Sequence, residues 1–125
     1  KEIYIPWSRF NGHSSTLYPP TDGALKIAAE IHPAWKVLRQ SAKLLVARNM
    51  HQVLGYSLGV SSHAVVCWTA DGCESFRTYG RTTGGTGTAI SLASLNQIPV
   101  FNLQHEDRLT DAMTFLTLPT HDQTL

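Results

Sequence analysis

Apolar residues in this chain fall into short runs separated by polar, glycine-rich stretches. Ile3-Tyr4-Ile5 is a β-branched and aromatic run closed by Pro6, and it predicts a first buried strand. A polar loop follows to Pro20, carrying Ser8, Arg9 and the turn pair Asn11-Gly12. Thr21-Asp22 offers a helix N-cap and an acidic first turn, and Ala24, Leu25, Ile27, Ala28 and Ile31 repeat at helical spacing behind it. Pro33 suits the first turn of a second helix, with Trp35, Leu38, Ala42, Leu45 and Val46 on its apolar side, Leu54 near its end and Gly55 as its stop. His63 to Trp68 is apolar almost throughout, the pattern of a strand covered on both faces. After a long Gly-, Thr- and Arg-rich loop, Gly84-Gly85-Thr86-Gly87-Thr88 opens a helix with Ile90, Leu92, Ala93 and Leu95. Ile98 to Asn102 predicts a third strand, and Asp107 to Leu116 a last helix with Leu109, Ala112, Met113 and Leu116. From Thr117 the tail is polar and predicts loose chain.

Strands alternating with helices predict a single α/β domain over residues 1–125, a parallel sheet flanked by helices. A chain of 125 residues with 42% hydrophobic and 15% charged residues has enough core to fold without a disulfide or metal. The net charge of +1 and the lack of any charge run exclude a long electrostatic footprint for duplex nucleic acid, but not a small anionic ligand. No apolar run reaches the length of a membrane span. Cys67 sits in an apolar run and Cys73 in a polar loop, a contrast that fits reduced thiols and a cytoplasmic location. No signal-peptide pattern precedes Ile3. The six His lack zinc-ligand spacing with one another or with Cys, so neither a metal nor a cofactor is expected.

The glycine turn carries the clearest chemistry. Gly84, Gly85 and Gly87 remove side chains where backbone approaches a ligand, and Thr86 and Thr88 add hydroxyls. A helix opening there aims free N–H groups at the crevice beyond the strands' carboxyl ends, which suits phosphate. No Lys follows the last glycine, so it is not a Walker A loop, and it does not follow the first strand as a dinucleotide fingerprint does.

Thr83 to Ser91 resembles the P-G-G-x-G-T-x-x-E signature of the LOG-type (lysine decarboxylase-like) phosphoribohydrolases, and Ile98-Pro99-Val100 extends the likeness. These enzymes belong to the SLOG superfamily, which includes the DNA-processing protein DprA. The resemblance implies a Rossmann-like, SLOG-type domain with a nucleotide phosphate at the glycine turn. It further implies a homo-oligomer, dimer or larger, with sites near subunit boundaries; the helix bearing Trp35, Leu38 and Leu45 offers an interface, although each of these also reads as core. Stretches such as Ile3 to Trp7, Ala29 to Trp35 and Cys67-Trp68-Thr69 also resemble bacteriophage proteins of this class. That likeness implies an anti-defence protein in the host cytoplasm that sequesters a nucleotide-derived immune messenger. Two departures matter: Ser91 stands where the family carries its catalytic Glu, and Thr83 replaces Pro. The family's helix-borne Arg has its nearest counterpart in Arg48, beside Asn49.

Other candidates follow from position. Arg48 suits an anion contact or an exposed helix face. Arg77 and Arg81 flank Tyr79 in the long loop, where an Arg can pair with phosphate while Tyr79 or Phe76 stacks on a base. Ser8 and Arg9 follow the first strand at the same crevice edge. Asp71 and Glu74 are the carboxylates nearest the end of the second strand and the candidate catalytic pair, although Asp71-Gly72 reads first as a turn. Three readings stand: a module that binds a nucleotide-like ligand unchanged, an enzyme that cleaves or transfers at an N-glycosidic bond with Glu74 or Asp71, or a subunit with a vestigial site whose helix faces mediate assembly.

Overall fold

The computed structural model of the chain describes residues 1–118. Four α-helices and two strands form a mixed α/β domain: α1 (Asp22–Ile31), α2 (Gln40–Leu54), β1 (Val65–Cys67), α3 (Gly87–Leu95), β2 (Val100–Asn102) and α4 (Arg108–Thr117). Thr117 closes α4, and the rest of the tail expected to be loose lies outside the described residues.

Among the described residues the sheet has two parallel strands, with Val65 opposite Val100, Val66 opposite Phe101 and Cys67 opposite Asn102. Side chains alternate, so Val65, Cys67 and Val100 face one side while Val66 and Phe101 face the other. The first side carries the core. There Ala24 and Ala28 of α1, Ala47, Met50 and Val53 of α2, and Ile90 and Ala93 of α3 pack together. Met50 and Ile90 are fully buried, each worth roughly 2 kcal/mol of apolar transfer. The small residues on α1 and α2 let these helices approach closely.

Three elements differ from the expected pattern. Tyr4, Ile5 and Pro6 are buried as expected, but the run makes only a single parallel bridge, from Tyr4 to Leu17. Its backbone is taken up by other partners: the Ser15 hydroxyl donates to the Ile3 carbonyl, Arg48 Nη1 donates to the Tyr4 carbonyl at 3.1 Å, and the Ile5 N–H donates to Leu17 O at 3.2 Å. Pro6 has no N–H to continue a ladder. The second helix begins at Gln40 rather than Pro33. The Ala34 N–H is taken by His32 Nδ1 at 3.0 Å, Trp35–Val37 forms a separate 3-10 turn, and Leu38 and Arg39 are extended. The expected strand at 63–68 is hydrogen-bonded as β only at Val65–Cys67.

The junction of α1 and α2 is fixed by His51. The Thr21 N–H donates to His51 Nε2 at 3.1 Å, so Nε2 is an acceptor and the proton sits on Nδ1, 3.1 Å from the Gly55 carbonyl. The Tyr4 and Tyr56 rings both stack against the imidazole. Among the described residues no helix is long and apolar enough to cross a membrane.

Candidate functional site

The loop between β1 and α3 is held by polar contacts from both strand ends. Asn102, fully buried at the end of β2, uses all its hydrogen-bonding capacity. Its Nδ2 donates to Thr69 Oγ1 at 2.6 Å and to the Cys73 carbonyl at 2.8 Å. Its Oδ1 accepts from the N–H groups of Thr69 at 3.2 Å and Gln104 at 3.1 Å.

Asp71 ties this knot to the glycine turn. Oδ1 accepts from the Thr69 hydroxyl at 2.8 Å and the Cys73 N–H at 3.1 Å; Oδ2 accepts from the hydroxyls of Thr83 at 2.6 Å and Thr82 at 3.3 Å. The Thr83 hydroxyl above all, joined by the Thr69 hydroxyl, the Cys73 N–H and the Thr82 hydroxyl, outweighs the opposing effect of burial and holds the Asp71 carboxyl down to about 2. Because the folded-state value is depressed, this support is complete above the ordinary carboxylate range near 4 and is lost as pH falls through about 2. An acid titration followed by circular dichroism should therefore show wild type more stable than Asp71→Asn at pH 5. The gap should close towards pH 2; a gap that stays constant contradicts the role given to Asp71.

Glu74 closes the outer edge of β2. It accepts the Asn102 N–H at 2.8 Å and pairs with Arg108 through two contacts at 2.7 and 3.0 Å. Burial acts to raise its carboxyl, but the Arg108 guanidinium and the Asn102 N–H outweigh it and hold it below the usual range. Both candidate carboxylates thus sit in structural contacts at the sheet's carboxyl end.

Past Thr83, Gly84 has φ +79°, a left-handed conformation natural to glycine, and the chain enters α3 at Gly87. Gly84 and Gly85 are exposed, and a Cβ on either would meet nothing within 4 Å. Gly87 and Thr88 are buried. A Cβ on Gly87 would run into the Tyr79 ring, so this glycine makes room for the aromatic loop residue rather than for a ligand. Asn49 clamps the turn from α2: its Nδ2 donates to the Gly85 carbonyl at 3.0 Å and to Thr88 Oγ1 at 3.3 Å.

Two clefts meet at this turn. The larger, about 610 Å3, lies between Gly84, Gly85 and Thr88 on one side and His32, Pro33, Tyr79 and Arg81 on the other. The smaller, about 390 Å3, is lined by Gly85, Thr86, Arg48, Asn49 and Gln52. Gly85 and Val46 belong to both. Among the described residues no carboxylate lines either cleft, while each carries one arginine. Arg48 is half-buried: its Nε donates to Asn49 Oδ1 and its Nη1 to the Tyr4 carbonyl, each at 3.1 Å, and it lies over the Phe10 ring. Burial pulls its guanidinium below the usual arginine range. Arg81 is exposed and, among the described residues, forms no ion pair.

The structure therefore brings Gly84, Gly85, Thr86, Thr88, Arg48, Asn49 and Arg81 together. Arg77 lies exposed over the Phe76 ring, and Ser8 and Arg9 are exposed on the N-terminal loop; none of these lines either cleft. Ser91, one helical turn behind Thr88, is 2% exposed, and among the described residues its hydroxyl has no partner. Sequence reasoning missed Asn102 as the centre of the loop anchor and His32 and Pro33 as one wall of the larger cleft. Among the described residues no group of three His, Cys, Asp or Glu is placed to hold a metal ion. Comparison with protein-family models, characterised proteins and solved structures finds no match for this chain.

Proposed function

We propose that the chain is a Rossmann-like, SLOG-type binding domain that captures a nucleotide-like ligand by its phosphate and releases it unchanged. The observation that carries this reading is the pair of exposed glycines ahead of α3, in open space between two clefts that have arginines and, among the described residues, no carboxylates. A phosphate at Gly84 to Thr86 gains from the helix dipole by about 0.3–1 kcal/mol, plus its hydrogen bonds to backbone and arginine. Tyr79 and Pro33 supply flat apolar surface for a base in the larger cleft.

Cleavage of an N-glycosidic bond needs a carboxylate at the anomeric carbon. Glu74 is paired with Arg108, Asp71 is saturated by donors, and Ser91 is buried, so binding without chemistry fits better. With the phage-protein resemblance, the use is sequestration of a nucleotide-derived signal in the host cytoplasm.

Thermal melts with AMP, ADP-ribose, NAD and cyclic nucleotides test the reading. At 100 times its dissociation constant a bound nucleotide adds about 2.7 kcal/mol, or roughly 10 °C for a domain of this size. Ligand recovered intact after denaturation supports capture. Release of free base, abolished by Glu74→Gln, makes the protein an enzyme instead.

A further inference from the structure

The sheet has one covered side and one half-covered side. On the second side, α4 lies over β2: the Phe115 and Phe101 rings are 5.5 Å apart, and the Arg108 guanidinium is 5.0 Å from the Phe101 ring. Beside Phe101 in the ladder, Val66 of β1 is 46% exposed, and Trp68, two residues on, is 62% exposed. Parallel strands are ordinarily covered on both faces by helices, and among the described residues no helix covers β1 on this side.

The helix itself has an unpartnered flank. Arg108, Ala112 and Phe115 face the sheet, while Leu109, Met113 and Leu116 are each more than half exposed. These leucines and the methionine follow the i, i+4, i+7 spacing of a packing stripe, turned about 100° from the sheet-facing residues. A right-handed β1–α3–β2 crossover places β1 on the side towards which this stripe turns. Bare strand and bare helix flank thus form two walls of one apolar corner, open to a helix lying beside α4.

We infer that this corner holds α4 of a second copy of the chain, in a two-fold dimer whose axis runs along the strands. Such an axis sets the two α4 helices side by side between two sheets. Each helix packs its stripe against the other and covers the partner's β1, so both vacancies close at once, as a self-complementary interface requires. Val66, Trp68, Leu109, Met113 and Leu116 expose roughly 500 Å2, the scale of a functional surface patch. A standard dimer buries about 800 Å2 per partner, and these five side chains supply more than half of that. A net charge of +1 per chain leaves little repulsion between copies.

Sedimentation velocity on the full chain tests the interface, with far-UV circular dichroism to confirm folding of each variant. Wild type should sediment at twice the chain mass at about 100 μM. Met113→Glu and Trp68→Glu, both at exposed positions, should each raise the dimer dissociation constant at least ~100-fold. Val37→Glu, at an 82% exposed site outside this corner, should leave the dimer intact. A monomeric wild type overturns the inference, as does a dimer that survives both substitutions.

Discussion

Replacing Asn102 by alanine is expected to cost at least ~3 kcal/mol of stability, the largest loss of any single polar substitution in the domain. The side chain is fully buried and carries four hydrogen bonds, two donated and two accepted. Truncation strands the buried Thr69 N–H and the Cys73 carbonyl without partners, and a buried polar group left unpaired costs about 1–3 kcal/mol. Asn102→Asp should fail as well, because a carboxylate can accept from the two N–H groups but cannot donate to the Cys73 carbonyl. Urea denaturation measures both variants. A loss below about 1 kcal/mol for Asn102→Ala would show that water or loop movement satisfies these groups.

The second large effect is on binding. Gly85→Glu should weaken nucleotide affinity at least ~100-fold, equivalent to about 2.7 kcal/mol, while leaving the unliganded protein as stable as wild type or slightly more so. Gly85 does not have a positive φ, and its absent Cβ faces open space, so the new side chain costs no strain. A carboxylate at the opening of α3 interacts favourably with the helix dipole by about 0.3–1 kcal/mol and occupies the place given to the phosphate. Gly84→Ala behaves differently, because φ +79° penalises a Cβ by about 1–2 kcal/mol before any ligand is considered. Titration calorimetry alongside thermal melts separates the two effects. Nucleotide affinity unchanged in Gly85→Glu would place the ligand elsewhere.

Helix content was legible wherever apolar spacing coincided with a boundary residue. Thr21 caps α1 through its hydroxyl to the Ala24 N–H at 3.3 Å, and Gly55 follows the last residue of α2. The helix after the glycine turn lies where its residues predict it, and the strand expected from Ile98 to Asn102 is hydrogen-bonded as β at Val100–Asn102. Pro33 misled because proline is compatible with a helix start but does not impose one. The chain instead makes a separate 3-10 turn at Trp35–Val37 and extends through Leu38 and Arg39 before α2, a break that apolar spacing does not show. The N-terminal run misled in the opposite sense: its residues suit a strand, but Ser15 and Leu17 claim its backbone before the sheet can.

The candidate site was legible in its backbone and less so in its side chains. Three closely spaced glycines before an apolar helix marked the turn, and two of them are exposed at the clefts. The third serves Tyr79, a packing relation that only the fold creates. Asp71 and Glu74 were nearest the strand end in sequence, yet proximity to a site is also what anchoring requires. Their partners, Thr83 and Arg108, lie 12 and 34 residues away.

The most direct measurement is an amide nitrogen–proton NMR titration of the full chain with AMP and ADP-ribose. The N–H signals of Gly84, Gly85 and Thr86 should shift most, with Arg81 and Asn49 next and the α4 amides unmoved. Strong shifts confined to other residues, with the 84–86 amides stationary at saturating nucleotide, would contradict a phosphate seat at this turn.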